Sequence, residues 1–234
     1  MKCINDLKGK NCLFLGAASP FARELCRNLA KLQLNFGFVD LQPRNSQKFV
    51  KELENIGVKA TSVKVAPGDV DSFKGAVKTI EQSLGAIDYL ICSYYFEEDE
   101  EKNYAIDKLE MEQWDSLREN WLDSYFLMAK AVLPSMLSKK EGKMIFLNLA
   151  SGYTGSEGMG QLTDESSLYY SVCSSAITGA VTSMAREIIP LGIKVNGIAL
   201  TSTDFKEDNK LLKIVVFLLS ELSYYVCGQF IRLD

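Results

Sequence analysis

The chain has 234 residues, of which 47% are hydrophobic, and its formal net charge is −4. That length suits one α/β domain with a sizeable core, and the acidic balance disfavours a general nucleic-acid or anionic-membrane surface. Histidine is absent, which excludes a Ser-His-Asp triad, a Cys-His pair and any histidine-ligated metal. Apolar runs then alternate with helical patterns from end to end. Asn11 to Gly16 reads as a strand and Pro20 to Leu32 as a helix. Asn35 to Asp40 is a second strand, and Ser46 to Ile56 a second helix. Lys59 to Ala66 is a third strand, followed by a helix over Val70 to Leu84. Ile87 to Cys92 is a fourth strand, and Leu109 to Ser138 holds a long helix broken near its start. Lys143 to Asn148, Ser167 to Ile189, Ile193 to Leu200, Asn209 to Ser223 and Gln229 to Leu233 continue the alternation.

Apolar strands of this length between helices imply a parallel sheet covered on both faces. The right-handed crossover rule turns that into a single α/β domain over residues 1–234, a Rossmann-like doubly wound parallel sheet. Six cysteines (Cys3, Cys12, Cys26, Cys92, Cys173, Cys227) lack any paired spacing and read as reduced thiols, not as a disulfide frame or a zinc site. The first residues carry no signal-like apolar region, and the most apolar run, Ile214 to Leu219, is too short to span a bilayer. A cytoplasmic protein without a membrane segment is expected. The charge run Phe96 to Lys102 reads as a solvated loop.

Tyr170 is followed four residues later by Ser174, and a turn and strand follow in Pro190-Leu191-Gly192-Ile193-Lys194-Val195-Asn196. The C-terminal run Tyr225-Val226-Cys227-Gly228-Gln229 through Asp234 completes a pattern covering nearly the whole chain. Together these segments resemble the short-chain dehydrogenase/reductase family, whose signature is Tyr-x-x-x-Lys on a long helix. The resemblance implies a nucleotide turn of the form Thr-Gly-x-x-x-Gly-Ile-Gly, and here Gly16 stands at the first glycine, Pro20 at the second and Ala22 at the third. Pro20 removes a backbone N–H and adds bulk, although proline is comfortable at a helix start. Asp40 falls where members that prefer NAD hold the ribose; it also reads as a polar residue starting a surface turn. Ala66 replaces an acid near the adenine. Cys92-Ser93-Tyr94-Tyr95 replaces Asn-Asn-Ala-Gly, and Tyr94 or Tyr95 is expected to fill the vacated adenosine space, unless both face solvent or a partner.

The family's catalytic set is Asn-Ser-Tyr-Lys. Ser151 and Tyr170 match two of the four positions, while Trp121 stands at the asparagine and Ser174 at the lysine. Asn120 is one place early, a rotation of about 100° on a helix, and should not substitute. Aligning Tyr169 instead puts Cys173 at the lysine. In the family that lysine lowers the tyrosine pKa and holds the nicotinamide ribose; a bare phenol titrates near ~10 and is a poor base at neutral pH. The turn after the sixth strand is Leu200-Thr201, and the chain passes directly into the next helix, so the substrate lid is shortened after residue 201. The resemblance thus implies a chain that binds no cofactor itself and is catalytically silent alone. Its expected partner is an active family subunit carrying NAD, in a heterotetramer that works as a dehydrogenase of hydroxyacyl-CoA compounds. The competing expectation is a weak NAD(P)-dependent oxidoreductase using Tyr170 and Ser151.

Overall fold

In the computed structural model, residues 6–17, 19–41, 46–93, 108–150, 167–200 and 210–233 are described. Seven strands follow: β1 (Asn11–Leu15), β2 (Asn35–Asp40), β3 (Ala60–Lys64), β4 (Tyr89–Cys92), β5 (Gly142–Leu149), β6 (Ile193–Leu200) and β7 (Phe230–Leu233). All neighbouring strands pair in parallel, in the order β3-β2-β1-β4-β5-β6-β7. The helices are α1 (Pro20–Lys31), α2 (Ser46–Ile56), α3 (Val70–Leu84), α4 (Met111–Arg118), α5 (Ser124–Lys139), α6 (Ser167–Ile188) and α7 (Lys210–Leu219). The doubly wound sheet expected from the alternation is present.

Strand side chains alternate between faces, and β1 shows what that does. Cys12 and Phe14 enter a core with α1, α2 and α7, while Leu13 and Leu15 enter a second core with α3, α5 and α6. Both faces are apolar because both are covered. Close approach fixes one position by size alone: a Cβ on Gly37 of β2 would lie 2.2 Å from Cγ2 of Ile80 on α3. Strand order reverses between β1 and β4, where an open parallel sheet leaves a crevice at its carboxyl edge. There the Ser93 N–H donates to the Leu15 carbonyl at 2.9 Å.

Two elements differ from the sequence reading for identifiable reasons. The break foreseen near the start of the long helix is a π-helical turn over Glu119–Asp123, joining α4 to α5. Two side-chain bonds at five-residue spacing support this wide turn: Arg118 pairs with Asp123, and the Ser124 hydroxyl donates to the Glu119 carbonyl at 2.8 Å. The last helix stops at Leu219 rather than Ser223, and a 3-10 turn (Glu221–Ser223) follows. The Lys143 ammonium, buried on β5, reaches this helix end. It donates to the carbonyls of Leu219 (3.2 Å) and Ser220 and sits 3.2 Å from a Glu221 carboxylate oxygen. A cation at a helix C-terminus satisfies carbonyls that have no helical donor. Lys143→Met should therefore cost about 1–3 kcal/mol, because the buried Leu219 carbonyl loses its donor while the Ser220 carbonyl keeps the Ser223 hydroxyl; the urea midpoint measures it.

Candidate functional site

The nucleotide side of the crevice is built by the β1–α1 turn and the end of β2. Gly16 has φ +84°, a left-handed conformation suited to glycine, and its N–H donates to the Val39 carbonyl at 3.1 Å. Ser19 caps α1 and is fully buried; its hydroxyl accepts the Ala22 N–H at 3.1 Å. Pro20, the first helical residue, has no N–H, and the Arg23 N–H donates to the Ser19 carbonyl. A helix start that receives a phosphate needs backbone donors aimed outward. Here Pro20 supplies none, and those of Ala22 and Arg23 are used within the turn.

Asp40 is buried at the end of β2, not placed on a surface turn. It accepts the Ser46 hydroxyl at 2.6 Å and the Ala17 N–H. Burial raises its pKa above the ordinary 3.8, opposed by those two hydrogen bonds and by the charge of Arg23. Arg23 itself donates from Nε to the Ala17 carbonyl at 3.1 Å and lies 5.4 Å from the Phe49 ring centroid. A carboxyl whose folded pKa is raised binds its proton more tightly in the native state. Its favourable contribution is complete below the unfolded value and is lost as pH rises through the folded value. Between the raised value and 3.8, acidification should therefore stabilise the wild type relative to Asp40→Asn, as thermal melts of the two proteins at stepped pH would show.

On the catalytic side, Trp121, Tyr170 and Ser174 are buried. Trp121, in the π-turn, is 1% exposed, and its ring centroid lies 6.4 Å from that of the buried Tyr170 on α6, tilted by 59°. Asn120 turns back on its own helix, donating from Nδ2 to the Ser116 carbonyl at 2.7 Å. Ser174 is fully buried and its hydroxyl donates to the Leu149 carbonyl. The Ser174 carbonyl accepts Asn148 Nδ2 at 2.8 Å and the Thr178 hydroxyl at 2.9 Å.

Tyr125, which sequence reasoning did not single out, is buried near the same strand end. Its hydroxyl donates to the Leu147 carbonyl at 2.7 Å, and its ring packs 5.6 Å from that of Phe146. Pairing of β4 with β5 ends at Cys92–Phe146, so the end of β5 runs beyond its neighbour. Two helix hydroxyls, Tyr125 and Ser174, take up carbonyls there. The available signal was a tyrosine in an otherwise apolar helix, since a buried phenol needs a partner.

Trp121, Tyr170 and Ser174 are thus brought together at the end of β5, while Gly16, Pro20 and Asp40 gather at the end of β1. Ser151, Tyr94, Tyr95, the charge run at 96–102 and the shortened lid after residue 201 lie outside the described residues. Cys12, Cys26, Cys92 and Cys173 are buried and form no disulfide, and burial pushes the thiols of Cys12, Cys26 and Cys92 up, away from nucleophilic use. Among the described residues no cluster of three or more Cys, Asp or Glu is arranged to hold a metal ion.

The chain matches a family model described as short chain dehydrogenase over residues 10–212. It is 23% identical to the 3-oxoacyl-[acyl-carrier-protein] reductase FabG of Thermotoga maritima, over 97% of each chain. It is 26% identical to the oxidoreductase UcpA of Escherichia coli, over 83% of this chain and 70% of that one. Among solved structures it resembles a short-chain type dehydrogenase/reductase from Mycobacterium marinum, with TM-score 0.84, 20% identity and coverage of 99% and 96%. It also resembles an NAD+-bound xylitol dehydrogenase, with TM-score 0.81, 17% identity and coverage of 97% and 98%.

Proposed function

The chain belongs to the short chain dehydrogenase family, and from that premise we propose that it is a non-catalytic member, paired with an intact one in a heteromeric NAD-dependent hydroxyacyl-CoA dehydrogenase. The observation that carries this reading is Ser174. It occupies the lysine position, is fully buried, and is bonded to the Leu149 carbonyl. Tyr170 therefore has a neutral hydroxyl where the family has an ammonium, and the Trp121 ring where the family has an amide. NAD, when held by the partner, accepts the hydride; this chain supplies interface burial.

The outward face of α5 and α6 supports the pairing. Phe126, Leu168 and Val172 are exposed there, and no charged residue occurs from Ser167 to Met184. An exposed helix face without charge over five turns is what an interface core looks like. The non-catalytic subunit of the 2-[hydroxy(phenyl)methyl]succinyl-CoA dehydrogenase of anaerobic toluene degradation resembles this picture, and we place the chain in that class of assembly, most simply as a heterotetramer without nucleic acid or membrane. Among the described residues no helix is long and apolar enough to cross a membrane.

The names of its relatives favour a second reading, a weak NAD(P)-dependent oxidoreductase using Tyr170 and Ser151. Nucleotide binding separates the two. A ligand at a hundred times its Kd stabilises a protein by about 2.7 kcal/mol, which raises Tm by roughly 5–10 °C for a domain of this size. We expect the melting curve to stay in place with NAD, NADH, NADP or NADPH. A rise of that order with any of them would overturn the non-catalytic reading.

A further inference from the structure

We propose that the seam between α6 and β5 is a hydration site, in which a long-lived internal water donates to Asn148 and is shared with Ser171. Such a water sits there whether or not the chain is catalytic. On α6 the residues Ser171, Ser174, Thr178 and Thr182 follow one another at spacings of three or four, so they form a hydroxyl stripe along one side of the helix. Three of these hydroxyls are satisfied within the fold. Ser174 donates to the Leu149 carbonyl, Thr178 to the Ser174 carbonyl at 2.9 Å and Thr182 to the Thr178 carbonyl at 3.0 Å. The Ser171 Oγ is buried and has no hydrogen-bond partner among the described residues.

Asn148, 2% exposed on β5, faces the same stripe. Its Nδ2 donates to the Ser174 carbonyl at 2.8 Å and lies 3.4 Å from the Thr178 Oγ1, whereas its Oδ1 is buried without a donor among the described residues. Turning the amide over gives no relief, because Oδ1 would then face the Ser174 carbonyl, acceptor against acceptor. Neighbouring strands supply no donor either. On one side Asn148 pairs with Ala199 of β6, whose side chain is a methyl; on the other, β4 stops pairing at Phe146. A buried acceptor left bare costs as much as a hydrogen bond is worth, so such groups are met by protein or by water. Water fits these two orphans: it donates to the amide oxygen, which only accepts, and exchanges a hydrogen bond with the hydroxyl. Every group on this seam named here is uncharged, which favours a neutral ligand over a cation. With that water in place, Asn148 holds α6 from both ends of its amide, at Ser174 and at Ser171.

The test is a crystal structure of the purified chain at atomic resolution, joined to water–protein NOE spectroscopy in solution. We expect one ordered water within hydrogen-bond distance of both Asn148 Oδ1 and Ser171 Oγ, and an NOE from a long-lived water to the α6 amides around Ser171. Ser171→Ala should lose that NOE and lower Tm by roughly 1–3 °C, one lost hydrogen bond in a domain of this size set against the better helix propensity of alanine. A dry Asn148 Oδ1, a protein donor reaching it, or density with the coordination of a cation overturns the inference. So does a Ser171→Ala protein that melts at or above the wild-type temperature, because its hydroxyl then had no partner to lose. None of these outcomes bears on nucleotide binding, which tests the non-catalytic reading separately.

Discussion

Ser174→Lys should give a less stable protein and no dehydrogenase. The family residue is restored on paper, but it would stand at a position buried in the fold. Ser174 is fully buried, and its hydroxyl satisfies the Leu149 carbonyl at the end of β5. A lysine there must leave that carbonyl without its donor and either bury an ammonium or push aside α6. Burying an uncompensated charge costs several kcal/mol, so a loss of about 3 kcal/mol or more is expected. Ser174→Ala provides the calibration: it removes one hydrogen bond and should cost about 1–2 kcal/mol. Chemical denaturation of the three proteins, with NADH-linked turnover assayed on the same samples, reads both effects. Turnover in the Ser174→Lys protein at undiminished stability would mean that the crevice accepts the side chain and that the missing lysine alone had silenced it.

That result turns on side chains whose positions along the chain were readable and whose contacts were not. The doubly wound sheet was legible because burial on both faces imposes continuous apolar strands, as in Leu13 to Leu15 and Phe36 to Val39, between helices with an apolar stripe. Matching one residue at a time also placed Gly16, Pro20, Asp40, Trp121, Tyr170 and Ser174 on their elements. Contacts between distant residues were hidden. Lys143 ends α7 from 76 residues away in sequence, and no local pattern announces it. Asp40 reads in sequence as a ribose ligand or a surface residue; the structure buries it, and its bonds to Ser46 and Ala17 follow from no local pattern. Nothing local to Tyr125 shows that β4 ends before β5 does. Local pattern determines which elements form; what a buried polar group bonds to depends on where neighbouring strands stop.

Trp121→Ala should cost about 3–5 kcal/mol, the range for truncating a large buried aromatic side chain. Its size carries the argument. A residue lining an open ligand crevice contacts water on one side, so its truncation changes binding or rate far more than stability. Trp121 is 1% exposed and packs against Tyr170, so its ring serves as core where the family keeps a polar amide. Trp121→Asn should fare no better than alanine, since the restored amide would enter an apolar setting beside Tyr170 with its hydrogen bonds unmade. Neither protein should gain a thermal response to NAD, because the turn at Ser19 and Pro20 is unchanged. The chain contains two tryptophans, so in a Trp114→Phe background the emission of Trp121 reports on this site alone. Buried indole emission in the native state, with a urea midpoint that falls sharply on truncation, is the expected outcome. A native Trp121 quenched by added iodide, with a truncation costing under about 1 kcal/mol, would instead describe an open crevice and a residue placed to meet a ligand.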